Sequence, residues 1–103
     1  MKSKRTLATG IKQGVRHYVL DRDGHKCVHC GFPYNLTMAH VFINRSHGGK
    51  GIKENLATLC IQCHMKLDHG KEKDAQPIRN HVEHYMKRLY GEPKLDELKY
   101  KKE

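Results

Sequence analysis

The sequence has little with which to build a large hydrophobic core. Its 103 residues contain no Trp and only two Phe, and hydrophobic residues make up 37% of the chain. This length fits one small domain. Domains with so small a core commonly need disulfides or a bound metal for stability. The composition therefore directs attention to the four cysteines.

Long apolar runs are also missing. The residues after Met1 are polar and basic, so we expect no secretory signal. No segment reaches the roughly 20 apolar residues that a membrane span needs. We therefore expect a cytoplasmic protein without membrane contact. In such a reducing compartment, paired cysteines more often bind metal than form disulfides.

Carboxylates are absent from two long stretches, residues 1–20 and 24–53. The whole chain has 20 Lys and Arg against 11 Asp and Glu, a net charge of +9. The simpler interpretation is a solvated basic surface. A long region without carboxylates instead favours contact with a polyanion, nucleic acid first.

The spacing of apolar residues predicts an α+β arrangement of short elements. We expect a basic flexible arm over residues 1–9, a domain over 10–91 and a charged tail over 92–103. Within the domain, a polar linker is expected over residues 71–77, closing at Pro77. The predicted elements are a helix at 10–21, strands at 36–43 and 55–59, a helix from Ile61 to His69, and a helix from Ile78 that ends at Gly91.

The four cysteines form two Cys-x-x-Cys pairs, Cys27 with Cys30 and Cys60 with Cys63. Two such pairs are typical of a tetrahedral zinc site with four thiolate ligands. The alternative is a redox dithiol, but no βαβ pattern surrounds either pair. We therefore predict a structural zinc ion, because four thiolates leave no open position for water.

A second group of candidate ligands follows the last cysteine. His64 and Asp68 are four residues apart on a predicted helix, so their side chains share a face and can hold one divalent cation. From spacing alone, an ordinary surface pair is the better interpretation. His40 on the predicted strand and Asn55 after the glycine-rich loop add to the case for a site.

In order, these residues make the sequence resemble the HNH endonuclease family. The resemblance covers roughly residues 15–69 and rests on three stretches, "VLDRDGHKCVHCG", "AHVFINRSHGG" and "ENLATLCIQCH". It implies a small zinc-stapled, treble-clef-like ββα-metal domain with flanking N- and C-terminal helices. The C-terminal "YMKRLYG" and "LDELKYKK" are similar to small phage- or prophage-encoded members, which implies a bacterial host cell.

The resemblance also implies roles for individual residues. His40 would be the general base, Asn55 would brace the loop and orient His40, and His64 would be a ligand to a catalytic Mg²⁺ or Mn²⁺. Asp68 stands where some members place a further ligand. Ala39 stands where many members carry an Asp or His ligand, so we expect water at that position.

Three functions remain open from the sequence. The resemblance implies a metal-dependent DNA endonuclease, with Arg45 and Lys50 as candidate phosphate contacts. A non-catalytic, zinc-stapled DNA-binding module would account for the charge and the cysteines but leaves His40, Asn55 and His64 unexplained. A zinc-stapled protein-interaction domain would not use the carboxylate-free centre. The sequence fixes neither the oligomeric state nor the DNA site.

Overall fold

The computed structural model describes residues 3–101 of the protein. Two short 3-10 turns, Arg45–His47 and Lys53–Asn55, lie in the loop between the two strands. The helices and strands are α1 (Lys4–Thr9), α2 (Gln13–Arg22), β1 (Leu36–His40), β2 (Leu56–Cys60), α3 (Ile61–His69), α4 (Glu72–Tyr90) and α5 (Leu95–Leu98).

Strands β1 and β2 form an antiparallel hairpin. Leu36 pairs with Cys60 at one end and His40 pairs with Leu56 at the other. The strand predicted over residues 36–43 ends at His40. Beyond it, the amides of Phe42 and Ile43 donate to the side chain of Asn55 instead of to a strand. The Asn55 side chain therefore takes the place of a neighbouring strand as hydrogen-bond partner, and the chain leaves β1 and enters the loop.

The two faces of the hairpin pack into two hydrophobic clusters, because successive residues in a strand point to opposite faces. One face contributes Ala39, Ala57 and Leu59 to a cluster with the apolar side of α4. The other contributes Met38 and Leu56 to a cluster with α2.

Helix α4 begins earlier than the sequence indicated. The polar linker predicted over residues 71–77 is wrong, since the helix runs from Glu72 through Pro77 to Tyr90. Proline disfavours a helix interior, but burial outweighs that cost here. Ala75 is buried and continues the stripe of Ile78 and Val82 against the hairpin.

A buried ionic network ties α2, β2 and α4 together. The Asp23 carboxylate accepts hydrogen bonds from the Thr58 amide at 2.9 Å and the Tyr85 hydroxyl at 2.6 Å. Arg22 pairs with the same carboxylate at 2.7 Å. Burial, with the Asp23 hydrogen bond, raises the pKa of Tyr85 to about 12. This network fixes the helices on both sides of the hairpin.

The two termini also differ from the expected arm and tail. Residues Lys4–Thr9 form a helix whose N-cap, Ser3, accepts a hydrogen bond from the Thr6 amide. At the other end, Leu98 is buried and the amide of Tyr100 donates to the carbonyl of Gly48. The predicted arm and tail also include residues 1–2 and 102–103, which lie outside the described residues.

The predicted α+β fold class is confirmed. It comprises a two-stranded sheet, the helix α3 that follows it, flanking helices and a cluster of four cysteines. Within residues 3–101, no helix is both long and apolar enough to cross a membrane.

Candidate active site

Two groups of side chains lie beside the hairpin, one at its Leu36–Cys60 end and one that extends from Thr37 to its His40–Leu56 end. At one end, the sulfur atoms of Cys27, Cys30, Cys60 and Cys63 all lie within 4.8 Å of one another. The Cys30 and Cys60 sulfurs are 3.6 Å apart. Four sulfurs around zinc at about 2.3 Å would be separated by about 3.8 Å. The cysteines are all free thiols, and their arrangement fits a tetrahedral ion.

The protonation of these thiols also fits a cation. Burial opposes ionisation of Cys27, but backbone amides of Cys30, Cys60 and His29 outweigh it and lower the pKa of Cys27 to about 7. Burial, together with Cys60 and Cys30, raises the pKa of Cys63. A structural metal such as zinc would stabilise all four cysteines in the thiolate form together.

At the other end of the hairpin, an open cavity of about 590 Å³ lies between β1, α3 and the loop. Three of the predicted site residues line this cavity together. His40 comes from β1, and His64 and Asp68 come from α3. Arg45 also lines it, from the first 3-10 turn. The remaining lining residues are Ile11, Met38, Val41, Asn44, Ser46, Leu67, His69 and Arg79.

The orientation of His64 follows from its hydrogen bonds. The Thr37 hydroxyl donates its single proton to the Leu59 carbonyl at 2.8 Å. The same oxygen lies 2.7 Å from His64 Nδ1, so it accepts a hydrogen bond from that nitrogen. In the neutral ring, Nε2 is then unprotonated. Nε2 lies 3.1 Å from Asp68 Oδ2, and an imidazole nitrogen beside a carboxylate oxygen is a suitable donor pair for a divalent cation.

His40 is held in the opposite tautomer. Its Nε2 lies 3.1 Å from the carbonyl oxygen of Thr9. A carbonyl only accepts, so Nε2 carries the proton and Nδ1 is left as the base. Burial lowers the pKa of His40, with contributions from Arg45 and His64, while the Thr9 hydrogen bond opposes the shift. His40 is therefore mostly neutral at pH 7.

Asn55 is fully buried under the loop. Its amide oxygen accepts from the Phe42 and Ile43 amides, and its amide nitrogen donates to the Ile43 and Lys50 carbonyls. These contacts brace the loop that follows His40. No hydrogen bond within residues 3–101 joins the Asn55 side chain to the His40 ring, so its influence on His40 passes through the backbone.

Two further sequence expectations differ from the geometry. Lys50 is partly buried in the loop and does not line the cavity, whereas Arg45 does. Ala39 is only 1% exposed and packs in the hydrophobic cluster with Ala57. The position expected to hold water is therefore closed by apolar packing.

Three residues near the site were not singled out from the sequence. Thr37 and Thr9 act through a hydroxyl and a backbone carbonyl, which leave no distinctive sequence pattern. Arg79 lines the cavity from α4 and pairs with Glu72 at 2.9 Å. Its helix was predicted, but only the packing of α4 on α3 brings this residue to the site.

A family model matches the segment of the chain that carries most of this site. Residues 27–70 match the family model described as HNH endonuclease. The matched segment contains both cysteine pairs, β1, β2 and α3, and the resemblance drawn from the sequence is confirmed. No curated protein matches the chain. The family match indicates nuclease or DNA-binding activity and implies a DNA substrate; the similarity to phage-encoded members stays a prediction.

Proposed function

We propose that the protein is a metal-dependent DNA endonuclease that hydrolyses phosphodiester bonds, with His40 as general base. The observation that carries the proposal is the pair of histidines on one cavity, each anchored through a different ring nitrogen. His40 bonds to the Thr9 carbonyl through Nε2 and leaves Nδ1 as the base, and His64 bonds to Thr37 through Nδ1 with its Nε2 beside Asp68.

The chemistry divides between these residues. His40 Nδ1 takes a proton from a water molecule, whose oxygen forms a bond to the scissile phosphorus. The bond from phosphorus to the 3′ oxygen breaks, and that oxygen takes a proton from a solvent water molecule to leave a 3′ hydroxyl and a 5′ phosphate. A divalent cation held by His64 and Asp68, Mg²⁺ or Mn²⁺, would supply stabilisation of the charge on the phosphate and on the leaving oxygen.

The surroundings of the cavity suit this substrate. Arg45 on the loop and Arg79 on α4 both line it, and a guanidinium can donate two hydrogen bonds to one phosphate. Few protein ligands are needed for Mg²⁺, because that ion retains water and binds phosphate oxygens of the substrate. His64 and Asp68 are therefore a sufficient protein contribution.

Supercoiled plasmid provides the decisive test. The protein should nick or linearise plasmid with Mg²⁺ or Mn²⁺ and should stop when EDTA is added. His40→Ala should lower the cleavage rate by about 10²–10⁴-fold, the usual contribution of a general base, with zinc content and DNA affinity unchanged. His84→Ala, an exposed histidine on α4, is the matched control and should cut normally.

The same assay separates the competing functions. A DNA-binding module would shift the plasmid in a gel without cutting it under any metal condition. A protein-interaction domain would do neither. Equal cleavage by His40→Ala and by the unaltered protein would show that the general base is elsewhere.

A further inference from the structure

The N-terminal helix α1 contacts the proposed general base directly. The carbonyl oxygen of Thr9, the last residue of α1, accepts the hydrogen bond from His40 Nε2 at 3.1 Å. Thr9 is 3% exposed, so water has little access to compete for this contact. Helix α1 lies outside the HNH match at residues 27–70.

The contact uses backbone groups that a helix leaves open. The last carbonyls of any helix have no partner within it. In α1, the carbonyl of Ala8 accepts from the Gly51 amide at 3.1 Å, and the next carbonyl, that of Thr9, accepts from His40. The C-terminal carbonyls of α1 thus find their hydrogen-bond partners in the loop between the strands and in His40, the proposed general base.

Two more contacts hold α1 in this position. The Arg5 guanidinium donates to the carbonyl of Ser46 in the loop at 2.7 Å. Gly51 permits a close approach of the two backbones, since a Cβ at this position would lie 2.8 Å from the carbonyl carbon of Gly10. Glycine is therefore required here for α1 to pack against the loop.

We propose that α1 is a positioning element of the active site, in which the Thr9 carbonyl holds the His40 ring so that Nδ1 can accept the proton. The inference rests on the proposed nuclease function for its catalytic consequence. It assigns to residues 3–10 a part in catalysis that the HNH segment alone does not supply.

The first experiment displaces α1 by one methyl group. Gly51→Ala should push Gly10 and Thr9 away from His40, because the added Cβ meets the backbone of Gly10 and lies 3.1 Å from the Thr9 carbonyl oxygen. Gly14→Ala is the matched control, since a Cβ there meets nothing within 4 Å.

A second pair of variants tests the same contact without steric pressure on the loop. Arg5→Gln removes the bond to Ser46, and Lys4→Gln removes an equal charge from another exposed residue of the same helix. No hydrogen bond or ion pair of the Lys4 side chain occurs among residues 3–101. Only Arg5→Gln should therefore loosen α1.

Two measurements distinguish positioning from general destabilisation. In ¹⁵N-histidine-labelled protein without DNA, exchange of the His40 Nε2 proton with water should accelerate at least about tenfold in Gly51→Ala. The cleavage kcat should fall about 10–100-fold, the effect expected when a reacting group is misplaced by about 1 Å. DNA affinity and zinc content should not change. Arg5→Gln should show both effects more weakly, and the two controls neither.

The outcomes separate this inference from the proposed function. Unchanged Nε2 exchange in Gly51→Ala, or faster exchange with an unchanged kcat, would overturn the positioning role while the nuclease function stands. An unaltered protein that cuts no plasmid would overturn the nuclease function itself, whatever the exchange rates.

Discussion

The two ends of the hairpin carry possible metal-ligand sets of very different completeness. At the cysteine end, four sulfurs converge within 4.8 Å and account for a complete tetrahedral set. At the histidine end, one imidazole nitrogen and one carboxylate oxygen face an open cavity of about 590 Å³. A complete ligand set can only stabilise the fold, whereas an incomplete one leaves room for water and a phosphate.

A single helix serves both ends. Cys63 and His64 are neighbours in α3, and successive helical residues point about 100° apart. Cys63 is therefore buried in the cysteine cluster, while His64 lines the cavity. A metal that fixes Cys63 also fixes the start of α3, and with it the position of His64.

The largest effect is expected from a substitution that disrupts the cysteine end alone. Cys60→Ser should abolish zinc binding and cooperative folding, because structural zinc contributes about 10–16 kcal/mol in small domains and total stabilities are about 5–15 kcal/mol. His64→Gln should retain zinc and a cooperative transition. Zinc analysis and thermal unfolding followed by circular dichroism provide the measurements. If Cys60→Ser unfolded at the normal temperature, the cysteine end would not be the structural one.

The second effect concerns pH and belongs to the histidine end. Protonated His40 cannot accept a proton, and burial places its pKa below the ordinary value of about 6.5. The acid limb of the cleavage rate should therefore have its midpoint below pH 6.5, with a decrease of about tenfold per pH unit below the pKa of His40. The measurement is a pH–rate profile at saturating metal. An acid limb with its midpoint above 6.5 would contradict the burial of this ring.

The cysteine cluster and the His64–Asp68 pair were the parts most predictable from the sequence. Cys-x-x-Cys pairs are local patterns, and the i, i+4 spacing of His64 and Asp68 directly predicts that they share one face of a helix. The elements that carry Cys60, Cys63, His64 and Asp68, β2 and α3, were predicted within one residue at their ends.

The features that were not predicted from the sequence share a physical cause, since each depends on contacts between distant parts of the chain. A backbone carbonyl such as that of Thr9 has no residue-type signature. Pro77 argued against a helix locally, and the burial of Ala75 in the tertiary structure decided otherwise. Ala39 follows the strand period into the hydrophobic cluster, which a comparison of motifs alone does not reveal.

A third prediction concerns the hydrogen bond between Thr37 on β1 and His64. Thr37→Val removes the acceptor for His64 Nδ1–H without changing the shape of the side chain, and loss of such an orienting contact typically costs about 10–100-fold in metal affinity. The Mg²⁺ or Mn²⁺ concentration for half-maximal cleavage should rise by that factor, with zinc content unchanged.

Thr58→Val is the matched control on the opposite strand. Its hydroxyl is buried and has no hydrogen-bond partner in the part of the chain that the structure describes, so its removal should be neutral or stabilising. An equal metal requirement in both variants would mean that Thr37 does not orient His64.

The smallest expected effect tests whether the open end extends to α4. Arg79 lines the cavity but also pairs with Glu72 at 2.9 Å and with Gln76 at 3.0 Å. A partly exposed ion pair of this kind is weak, about 0–1 kcal/mol, so a phosphate can displace it. Each direct phosphate contact contributes nearly one unit to the slope of log affinity against log salt.

Arg79→Gln should therefore reduce that slope by about 1. The control is Arg88→Gln, which removes the same charge from an exposed position on α4 that does not line the cavity. Arg88→Gln should lower DNA affinity only by reducing the net positive charge of the protein, and it should leave the slope nearly unchanged. The slopes come from DNA-binding isotherms measured at several salt concentrations with His40→Ala protein, so that the DNA remains intact. Identical slopes for the two arginine variants would confine the phosphate contacts to the loop, and the open end of the hairpin would then stop short of α4.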